Sequence, residues 1–391
     1  MTTIVDSITL TNPWTPSVLD DFDIALPRSI VLSPEQQSAV DIVTQWATDK
    51  TKPLEFKLGG YAGTGKTTVI KTIQDALRRK LGIQVAAFTG KAVSVLAKKQ
   101  VFGRTLHSLM YDVELVKGEG YVFYKKSTLY PNCDLVIVDE ASMISTDLYN
   151  DLMSFRKKVL WVGDPGQLEP VGDNPNLMRK PDLVLSKIHR QAEKSHILTL
   201  ANDIRNGGRI PLNQTTDELI TRNKSLQVRD LLSVDQVICA RNKTRRGFNE
   251  SIRRALGKPA DEIVPEDKII ILRNSLSDNV FNGLILTITD VHSSNPVYWE
   301  ATAIDELDRK YPKLKLWKRT FQVEKLDQGE FNPKGTVQAD FGWAITCHKS
   351  QGSEWDSVMV FDEWMPPQVW DMKRWRYTAI TRASKKLIYC I

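Results

Sequence analysis

Short apolar runs recur along the first half of this chain, and small or polar residues follow each of them at once. The runs with the residues that follow them are LEFKL before GGYAGTGK, VAAF before TGKA, LVIV before DEAS, and VLWV before GDPGQ. Strands of a parallel sheet are buried on both faces, so they read as continuous apolar runs, and ligands collect beyond their carboxyl ends. The pattern therefore predicts a parallel sheet with its polar loops at one edge.

A second set of apolar runs follows, with VICARN near residue 237, VMVFDE near 358 and the closing LIYCI. Helical stretches such as TRRGFNESIRRAL separate them, which predicts an α/β chain with two domains in tandem. The length of 391 residues, 41% of them hydrophobic, is sufficient for two such cores. We expect an N-terminal arm at 1–27, a first domain at 28–183 and a second at 184–391.

Two stretches do not follow this alternation of apolar runs and helical stretches. Residues 112–126, DVELVKGEGYVFYKK, alternate apolar and polar side chains around a glycine-bearing turn, which predicts a β-hairpin inserted at about 110–131. The region from about 292 to 335 is rich in Trp, Lys, Pro and Gly, and predicts a small β-rich insertion in the second domain.

Composition excludes several classes of protein. The net charge of +6 permits a nucleic-acid partner without requiring one. No apolar run approaches the ~20 residues of a membrane span, so we expect a soluble intracellular protein. The four cysteines are far apart and predict reduced core residues rather than a zinc site: Cys133, Cys239, Cys347 and Cys390.

The segment from Gly60 to Thr67 matches GxxxxGK[ST] between a predicted strand and a predicted helix. Backbone amides of such a loop surround phosphates, the lysine binds between the β- and γ-phosphates, and the final hydroxyl binds Mg²⁺. We therefore predict ATP and Mg²⁺ as cofactors. The predicted nucleotide-binding residues of the loop are Gly60, Gly63, Thr64, Gly65, Lys66, Thr67 and Thr68.

The next two strand ends supply candidate catalytic groups. In LVIVDEAS, Asp139 is expected to hold the magnesium shell together with Thr67, and Glu140 to orient and deprotonate the attacking water. In GDPGQLEPV, Gln167 is expected to detect the γ-phosphate, and Asp164 to shape the turn.

Phosphoryl transfer also requires positive charge beyond the γ-phosphate, and the planar fork of arginine suits that task. Arg190 in KIHRQ and Arg382 in YTAITRAS are the two candidates. Taken singly, either would more often be an ordinary surface arginine.

An ordered series of motifs covers residues 32 to 391: LSPEQQSA, GGYAGTGKTT, AFTGKA, TLHSL, VDEAS, GDPGQLEPV, IHRQ, AITCHKSQGSEWDSV and YTAITRAS. This series resembles that of superfamily-one DNA helicases, particularly the RecD and Dda type. The resemblance implies two RecA-like P-loop domains with ATP between them, and an insertion for which an SH3-like fold is one candidate.

The resemblance also implies roles for individual residues. Gln36 corresponds to an adenine-reading glutamine, and Arg190 and Arg382 to arginine fingers. His189 stands where many relatives have a tyrosine that stacks on adenine, which leaves stacking less secure. The implied DNA contacts are Thr89, Gly90, Lys91, Thr105 and His107 in the first domain, and His348, Lys349, Ser350, Gln351 and Glu354 in the second.

Hydroxyls, amides and lysines hold phosphates without reading sequence, so we expect no sequence specificity. The hairpin is the candidate separation pin, with Tyr121, Phe123 or Tyr130 stacking on a base. Packing of these aromatics onto the first domain is an equal alternative. Tryptophans interleaved with Lys373, Arg374 and Arg376 are expected mostly to pack in the core or between domains. Four arginines are expected to lie on the solvent-exposed face of a helix: Arg245, Arg246, Arg253 and Arg254.

The resemblance implies a 5′-to-3′ helicase that acts on single-stranded DNA and duplex junctions as a monomer, in the bacterial cytoplasm and similar to phage-encoded helicases. Replication or recombination proteins are the expected partners. Two alternatives stay open: a DNA clamp that ATP switches without unwinding, and an RNA motor.

Overall fold

The structure is a computed structural model. It describes residues 31–116, 120–169, 173–188, 195–223, 226–275, 277–306, 308–324, 326–327, 330, 332–366 and 370–391, with side chains left out for 113–116 and 120–123. The predicted arm at 1–27 lies outside the described residues.

The strands of the described residues, in chain order, are β1 Glu55–Gly60, β2 Ile83–Ala87, β3 Arg104–Thr105, β4 Tyr111–Val116, β5 Gly120–Lys125, β6 Leu135–Asp139, β7 Lys158–Gly163, β8 Leu183–Leu185, β9 Leu219–Arg222, β10 Gln236–Cys239, β11 Lys268–Ile271, β12 Ile285–Ser294, β13 Tyr298–Ile304, β14 Lys310–Trp317, β15 Ala339–Phe341, β16 Ala344–Thr346, β17 Trp355–Phe361 and β18 Ala383–Cys390.

The helices of the same residues are α1 Pro34–Thr48, α2 Lys66–Leu77, α3 Gly90–Lys98, α4 Leu106–Met110, α5 Thr146–Ser154, α6 His196–Arg205, α7 Val228–Leu232, α8 Asn242–Ala255, α9 Lys318–Gln322, α10 Cys347–Ser350 and α11 Met372–Ile380.

The first domain is built on a parallel six-stranded sheet in the order β3-β2-β6-β7-β1-β8. Strand β6 is buried throughout, and its residues alternate between two cores: Leu135 and Ile137 face α1, α2 and α3, whereas Val136 and Val138 face α4 and α5. Burial on both faces explains the continuous apolar runs. The predicted α/β class is confirmed.

The second domain contains a parallel five-stranded sheet in the order β16-β10-β17-β18-β9. Helices α6 and α11 pack on one face, and α7 and α8 pack on the other. The prediction of two tandem parallel-sheet domains is confirmed.

A separate antiparallel sheet in the order β14-β13-β12-β11-β15 is inserted between α8 and β16. A bridge between Leu316 and Val337 joins its two edges, so the sheet is partly closed. The sheet extends beyond the predicted 292–335 insertion on both sides. The sequence KIII of β11 is an apolar run like those of the parallel sheets, and β15 has only three residues. Neither strand could therefore be assigned to the insertion from its sequence. An SH3-like fold for this insertion stays a prediction.

Strands β4 and β5 form the antiparallel hairpin predicted at 112–126, with Asp112 opposite Tyr124. Its base is bound to α5 through Asp151, which accepts hydrogen bonds from the Tyr111 hydroxyl and from Lys125 Nζ. The hairpin is therefore anchored to the first domain at its base.

The prediction that the arginines of α8 lie on its solvent-exposed face is wrong for two of them. Arg245 and Arg253 are buried, and they pair with the buried carboxylates of Asp340 (2.8 Å) and Asp267 (3.0 Å). Buried charges require such partners. Both arginines lie on the buried face of α8 with Asn249 and Ile252, whereas Arg254 lies on the opposite face and is exposed as predicted.

The four cysteines are buried free thiols, as predicted. Burial raises the pKa of the Cys133 and Cys390 thiols to about 11. Within the described part of the chain, no helix combines the length and apolar character needed to cross a lipid bilayer.

Candidate active site

The phosphate loop joins β1 to α2. Gly63 and Gly65 have φ values of 78° and 79°, a left-handed backbone that favours glycine. A Cβ on Gly60 would lie 2.8 Å from Lys66 Cγ, so a side chain there would displace the lysine. The glycine spacing of the motif therefore has a local physical basis.

Lys66 is the first residue of α2, and its side chain folds back over the loop. Its Nζ donates to the Gly60 carbonyl (2.7 Å) and the Tyr61 carbonyl (3.3 Å), and lies 3.9 Å from Asp164 Oδ2. Thr64 is buried and donates its hydroxyl to the same Tyr61 carbonyl. Thr67 and Thr68 occupy the next positions of α2, and the amides at the start of a helix are suited to bind a phosphate.

Asp139 ends β6 in a buried position, and its Oδ1 accepts a hydrogen bond from Glu140 N–H (2.9 Å). Burial and the neighbouring Glu140 carboxylate raise the Asp139 pKa to about 6, and Lys66 opposes them. Glu140 follows with φ 55°, a strained conformation for a non-glycine residue that turns the chain out of the strand.

This donor set fits a magnesium ion. A buried carboxylate beside a second carboxylate carries negative charge that a divalent cation would neutralise, and Thr67 adds a hydroxyl oxygen. No cluster of three or more His, Cys, Asp or Glu side chains suitable for a metal occurs among the described residues. Mg²⁺ is usually bound through one or two protein carboxylates together with substrate phosphates and water.

Gln36, the predicted adenine-reading residue, is buried at the start of α1. It forms a capping box with Ser33, and its Nε2 donates to the Thr64 carbonyl at 2.9 Å. The side chain thus fixes α1 to the phosphate loop. Its contact with adenine stays a prediction.

The segment 164–169, which follows β7, lies beside the phosphate loop and contacts the second domain. Tyr377 Oη donates to Asp164 Oδ2 (2.8 Å), and Thr378 Oγ1 accepts from Leu168 N–H (2.9 Å). We call residues 164–169 the sensor segment.

Two further side chains of the second domain bind the sensor segment. Gln351 Nε2 donates to the Leu168 carbonyl at 2.7 Å, and Arg374 Nη1 donates to Glu169 Oε1 at 2.7 Å. Residues from α11 and the end of α10 therefore hold the sensor segment from the opposite side of the cleft.

Gln167 lies in the middle of the sensor segment and is 4% exposed. Its Oε1 is buried without a hydrogen-bond partner among the residues that the structure describes. An unpaired buried amide oxygen is costly, so this side chain is suited to a polar group that enters the site. Its predicted role as a γ-phosphate detector stays a prediction.

Arg382 is buried directly after α11. Its guanidinium donates to the Thr378 carbonyl (3.0 Å), the Ser353 carbonyl (2.9 Å) and the Thr381 hydroxyl (3.1 Å). In this conformation, these hydrogen bonds hold it within the second domain. Arg190 and His189, the other predicted nucleotide contacts of that domain, lie outside the described residues.

In the first domain, the predicted DNA contacts lie at the carboxyl edge of the sheet. Thr89 caps α3, Gly90 begins it, and Thr105 caps α4. His107 is half-buried between the rings of Phe88 and Tyr111, and burial lowers its pKa.

Lys91 is placed differently from the expectation of an open phosphate contact. It is 8% exposed, with Nζ 4.2 Å from the Trp355 ring centroid and 3.7 Å from Glu306 Oε2. Burial lowers its pKa. Lys91 therefore joins the first domain to the second and to the inserted sheet.

In the second domain, the predicted DNA contacts divide into two groups. His348 is half-buried with its ring 5.3 Å from that of Trp370, Lys349 Nζ binds Asn282 Oδ1 (2.6 Å), and Glu354 is exposed. Ser350 is fully buried and bonds to the Cys347 carbonyl, and Gln351 is buried against the sensor segment. In this conformation the last two side chains are used inside the protein, because Ser350 bonds back within α10 and Gln351 bonds across the cleft.

The side chains of Tyr121 and Phe123 lie outside the described residues. Tyr130 follows the hairpin and is half-buried, with the Arg104 guanidinium 4.0 Å from its ring centroid. It packs on the core of the first domain, which favours the packing alternative for this residue.

Sequence reasoning missed the side chains that cross the cleft. Tyr377 and Thr378 lie inside YTAITRAS, of which only Arg382 was predicted to be functional. Arg205 of α6 also lies over the Tyr61 ring of the phosphate loop, 3.5 Å from its centroid. No local pattern marks these residues, because their partners are more than 140 positions away in the chain.

A phosphate loop at the carboxyl edge of one parallel sheet, opposed by side chains from a second such sheet, defines a P-loop NTPase with two RecA-like domains. Residues 31–224 match the family model described as an AAA domain, and residues 341–389 match the UvrD-like helicase C-terminal domain.

Curated relatives include the ATP-dependent RecD2 DNA helicase of Deinococcus radiodurans, 27% identical over 99% of this chain and 53% of that protein. The ATP-dependent DNA helicase dda of Enterobacteria phage T4 is 30% identical over 45% of this chain and 43% of its own length. The chain thus spans about half the length of these two relatives.

Among solved structures, Bacteroides Pif1 bound to single-stranded DNA has a TM-score of 0.54 and 19% identity, with 92% of each chain covered. This likeness shows the fold. Together the family models and the curated relatives make this chain similar to helicases of the RecD and Dda type.

Proposed function

We propose that this chain is an ATP-dependent DNA helicase that moves along single-stranded DNA from 5′ to 3′ and unwinds duplex DNA. One observation carries the proposal: the sensor segment lies beside Lys66 of the first domain and is held by Tyr377, Thr378 and Arg374 of the second. A nucleotide bound at Lys66 would therefore alter the contact between the two domains.

The first domain supplies the groups for hydrolysis. Lys66 and the loop amides would bind the β- and γ-phosphates, and Thr67 and Asp139 would hold a magnesium ion. When bound, that ion would supply positive charge that neutralises the phosphate oxygens. Glu140 orients the attacking water and takes its proton, and Gln167 detects the γ-phosphate.

The second domain supplies positive charge beyond the γ-phosphate, from Arg382 and Arg190. Because Arg382 is bonded within its own domain in this conformation, we expect it to reach the phosphate when the cleft closes. As the cleft closes and opens, the two domains would in turn tighten and release their contacts with the strand. Hydrolysis would therefore drive movement along DNA.

The strand would lie across the carboxyl edges of both sheets, in contact with the Thr89–Gly90 turn, Thr105, His348 and Lys349. The substrate is inferred by analogy, because the RecD2 and dda relatives are DNA helicases and one structural neighbour is bound to single-stranded DNA. The 5′-to-3′ direction is likewise inferred from the RecD and Dda type.

The hairpin β4-β5 is the proposed separation pin, anchored through Asp151. A duplex step is worth about 1.4 kcal/mol on average, and stacking of a base on an aromatic ring about 1 to 3 kcal/mol. One aromatic ring of the hairpin could therefore compete with one base-pair step. We also propose that the chain acts as a monomer in the bacterial cytoplasm. Action as a monomer predicts an unwinding rate proportional to protein concentration.

The experiment compares unwinding of duplexes that carry only a 5′ or only a 3′ single-stranded overhang. We expect the wild type to unwind the 5′-overhang substrate, and Lys66→Ala to lose both unwinding and ATP hydrolysis. The matched control is Lys71→Ala on the same helix, whose exposed ammonium binds Gln100, and which should retain both activities.

ATP hydrolysis stimulated by single strands without unwinding of either duplex would instead favour the ATP-switched clamp. Stronger stimulation by RNA than by DNA oligomers would favour the RNA motor. Unwinding of the 3′-overhang substrate alone would show that the proposed direction is wrong.

A further inference from the structure

Tyr377 is a buried residue of α11 with its hydroxyl in the nucleotide site. The side chain is 2% exposed, and its Oη donates to Asp164 Oδ2 (2.8 Å) and accepts from Ala62 N–H (2.8 Å). Ala62 belongs to the phosphate loop and lies 315 positions before Tyr377 in the chain. One hydroxyl therefore joins the second domain to two parts of the first.

Gly166 makes this approach sterically possible. A Cβ on Gly166 would lie 2.8 Å from Tyr377 Cε1, closer than carbon atoms can pack, so a side chain there would displace the ring. Gly166 N–H also donates to Asp164 Oδ1 at 2.8 Å, and so fixes the carboxylate from its other side.

The bond to Asp164 affects Lys66. Asp164 is 1% exposed, and Lys66 Nζ lies 3.9 Å from the same Oδ2 atom that accepts from Tyr377. A buried carboxylate oxygen that loses its donor carries a desolvation cost, so it would attract the nearest alternative donor. A shift of about 1 Å would bring the Lys66 ammonium into hydrogen-bond range of Asp164.

The bond to Ala62 affects the loop itself. Amides of a phosphate loop act by their fixed orientation, and Tyr377 is a fixed acceptor for one of them. Burial, together with the Asp164 charge, raises the pKa of the Tyr377 hydroxyl well above its ordinary value. The group therefore stays neutral and able to donate.

We propose that Tyr377 is a positioning residue of the nucleotide site, whose hydroxyl holds Asp164 and the phosphate loop in place and so leaves Lys66 available to the phosphates. This inference rests on the proposed ATP-dependent function. It assigns a nucleotide-binding effect to a side chain of the second domain that does not itself touch the phosphates.

The test is Tyr377→Phe, which removes the hydroxyl and keeps the ring. Tyr389→Phe is the matched control, because Tyr389 is also fully buried and donates to a buried carboxylate, Asp362 (2.8 Å), but within the second domain. Each variant is titrated with fluorescent ADP, and KM for ATP and kcat are measured with single-stranded DNA. Thermal unfolding is recorded for both.

We expect Tyr377→Phe to raise the Kd for ADP and the KM for ATP at least about fivefold relative to Tyr389→Phe, since hydrogen bonds to charged groups have effects of this size. A merely structural role would lower the melting temperature and the kcat equally in both variants with KM unchanged, and would overturn the inference. If Tyr377→Phe yields no folded protein, Gly166→Ala, which displaces the ring but keeps the hydroxyl, carries the same expectation.

The wild type separates this inference from the proposed function. Failure of the wild type to bind ADP or hydrolyse ATP would overturn both. A wild type that binds and hydrolyses, beside a Tyr377→Phe variant equal to its control, would overturn the inference alone.

Discussion

Asp139 illustrates what burial does to a single carboxylate. The side chain ends a fully buried strand with Glu140 beside it, and both features raise its pKa to about 6 from an ordinary value of 3.8. Folding therefore favours the protonated form. The stability that protonation provides is present below about pH 4 and is lost as pH rises through about 6.

This shift predicts that Asp139→Asn is more stable than the wild type at pH 7.5 without magnesium. The amide removes a buried charge, so we expect a melting temperature higher by several degrees, at roughly 2 to 4 °C per kcal/mol. The difference should shrink as pH falls from 7.5 toward 4. Thermal unfolding in EDTA across this range measures it.

Asp356→Asn is the control, because that carboxylate is exposed and a hydrogen bond from Lys385 lowers its pKa. We expect no gain in melting temperature for this variant. Equal melting temperatures for Asp139→Asn and the wild type at pH 7.5 would show that the buried carboxylate carries no such cost.

At the scale of elements, apolar runs predicted the strands β1, β2, β6 and β7, because burial on both faces leaves a direct trace in sequence. The same trace cannot identify the sheet to which β11 belongs, since KIII would fit a parallel strand equally well but pairs in an antiparallel sheet. The hairpin was predicted from its own alternation. Its anchor, Asp151, lies 26 residues beyond Lys125 and carries no local signal.

Asp151→Ala should separate unwinding from ATP hydrolysis. The change removes the hydrogen bonds from Tyr111 and Lys125 that hold the hairpin base on α5. We expect a fall in unwinding of at least about threefold with ATP hydrolysis on single strands unchanged. Both rates are measured on one protein preparation.

Asp356→Ala provides the comparison, because it removes a surface carboxylate that binds Lys385 and Ser384 in the second domain. Its unwinding rate should match the wild type. An equal loss of unwinding and hydrolysis in Asp151→Ala would show general damage rather than a role of the hairpin.

At the scale of the whole molecule, the two domains meet at the sensor segment. Glu169 and Arg374 form an ion pair of 2.7 Å across this contact, with side chains 45% and 28% exposed. Pairs this exposed have small energies, of the order of 1 kcal/mol or less. The pair is therefore a moderate and adjustable part of the contact.

Arg374→Glu should lower DNA-stimulated ATP hydrolysis by up to about fivefold, because two carboxylates then repel across the cleft. Combining it with Glu169→Arg restores opposite charges, so we expect recovery to within about twofold of the wild type. Steady-state hydrolysis with saturating single-stranded DNA measures both variants.

The matched swap exchanges Arg319 and Glu330, which pair at 2.7 Å beside the inserted antiparallel sheet. Neither the single change nor the swap there should alter hydrolysis. A double variant at 169 and 374 as impaired as Arg374→Glu alone would contradict an electrostatic role for the interdomain pair.

The sequence by itself determined the features that depend on neighbouring residues. Strand burial, the glycine geometry of the phosphate loop and the positions of Lys66, Asp139 and Glu140 after their strands all follow from local spacing. Only the tertiary structure decided which side chains cross the cleft, and that Lys91 and Gln351 are buried in interdomain contacts. The physical reason is distance along the chain. A contact such as that between Ala62 and Tyr377 depends on how two separately folded sheets pack together, and this packing leaves no periodic pattern in either segment.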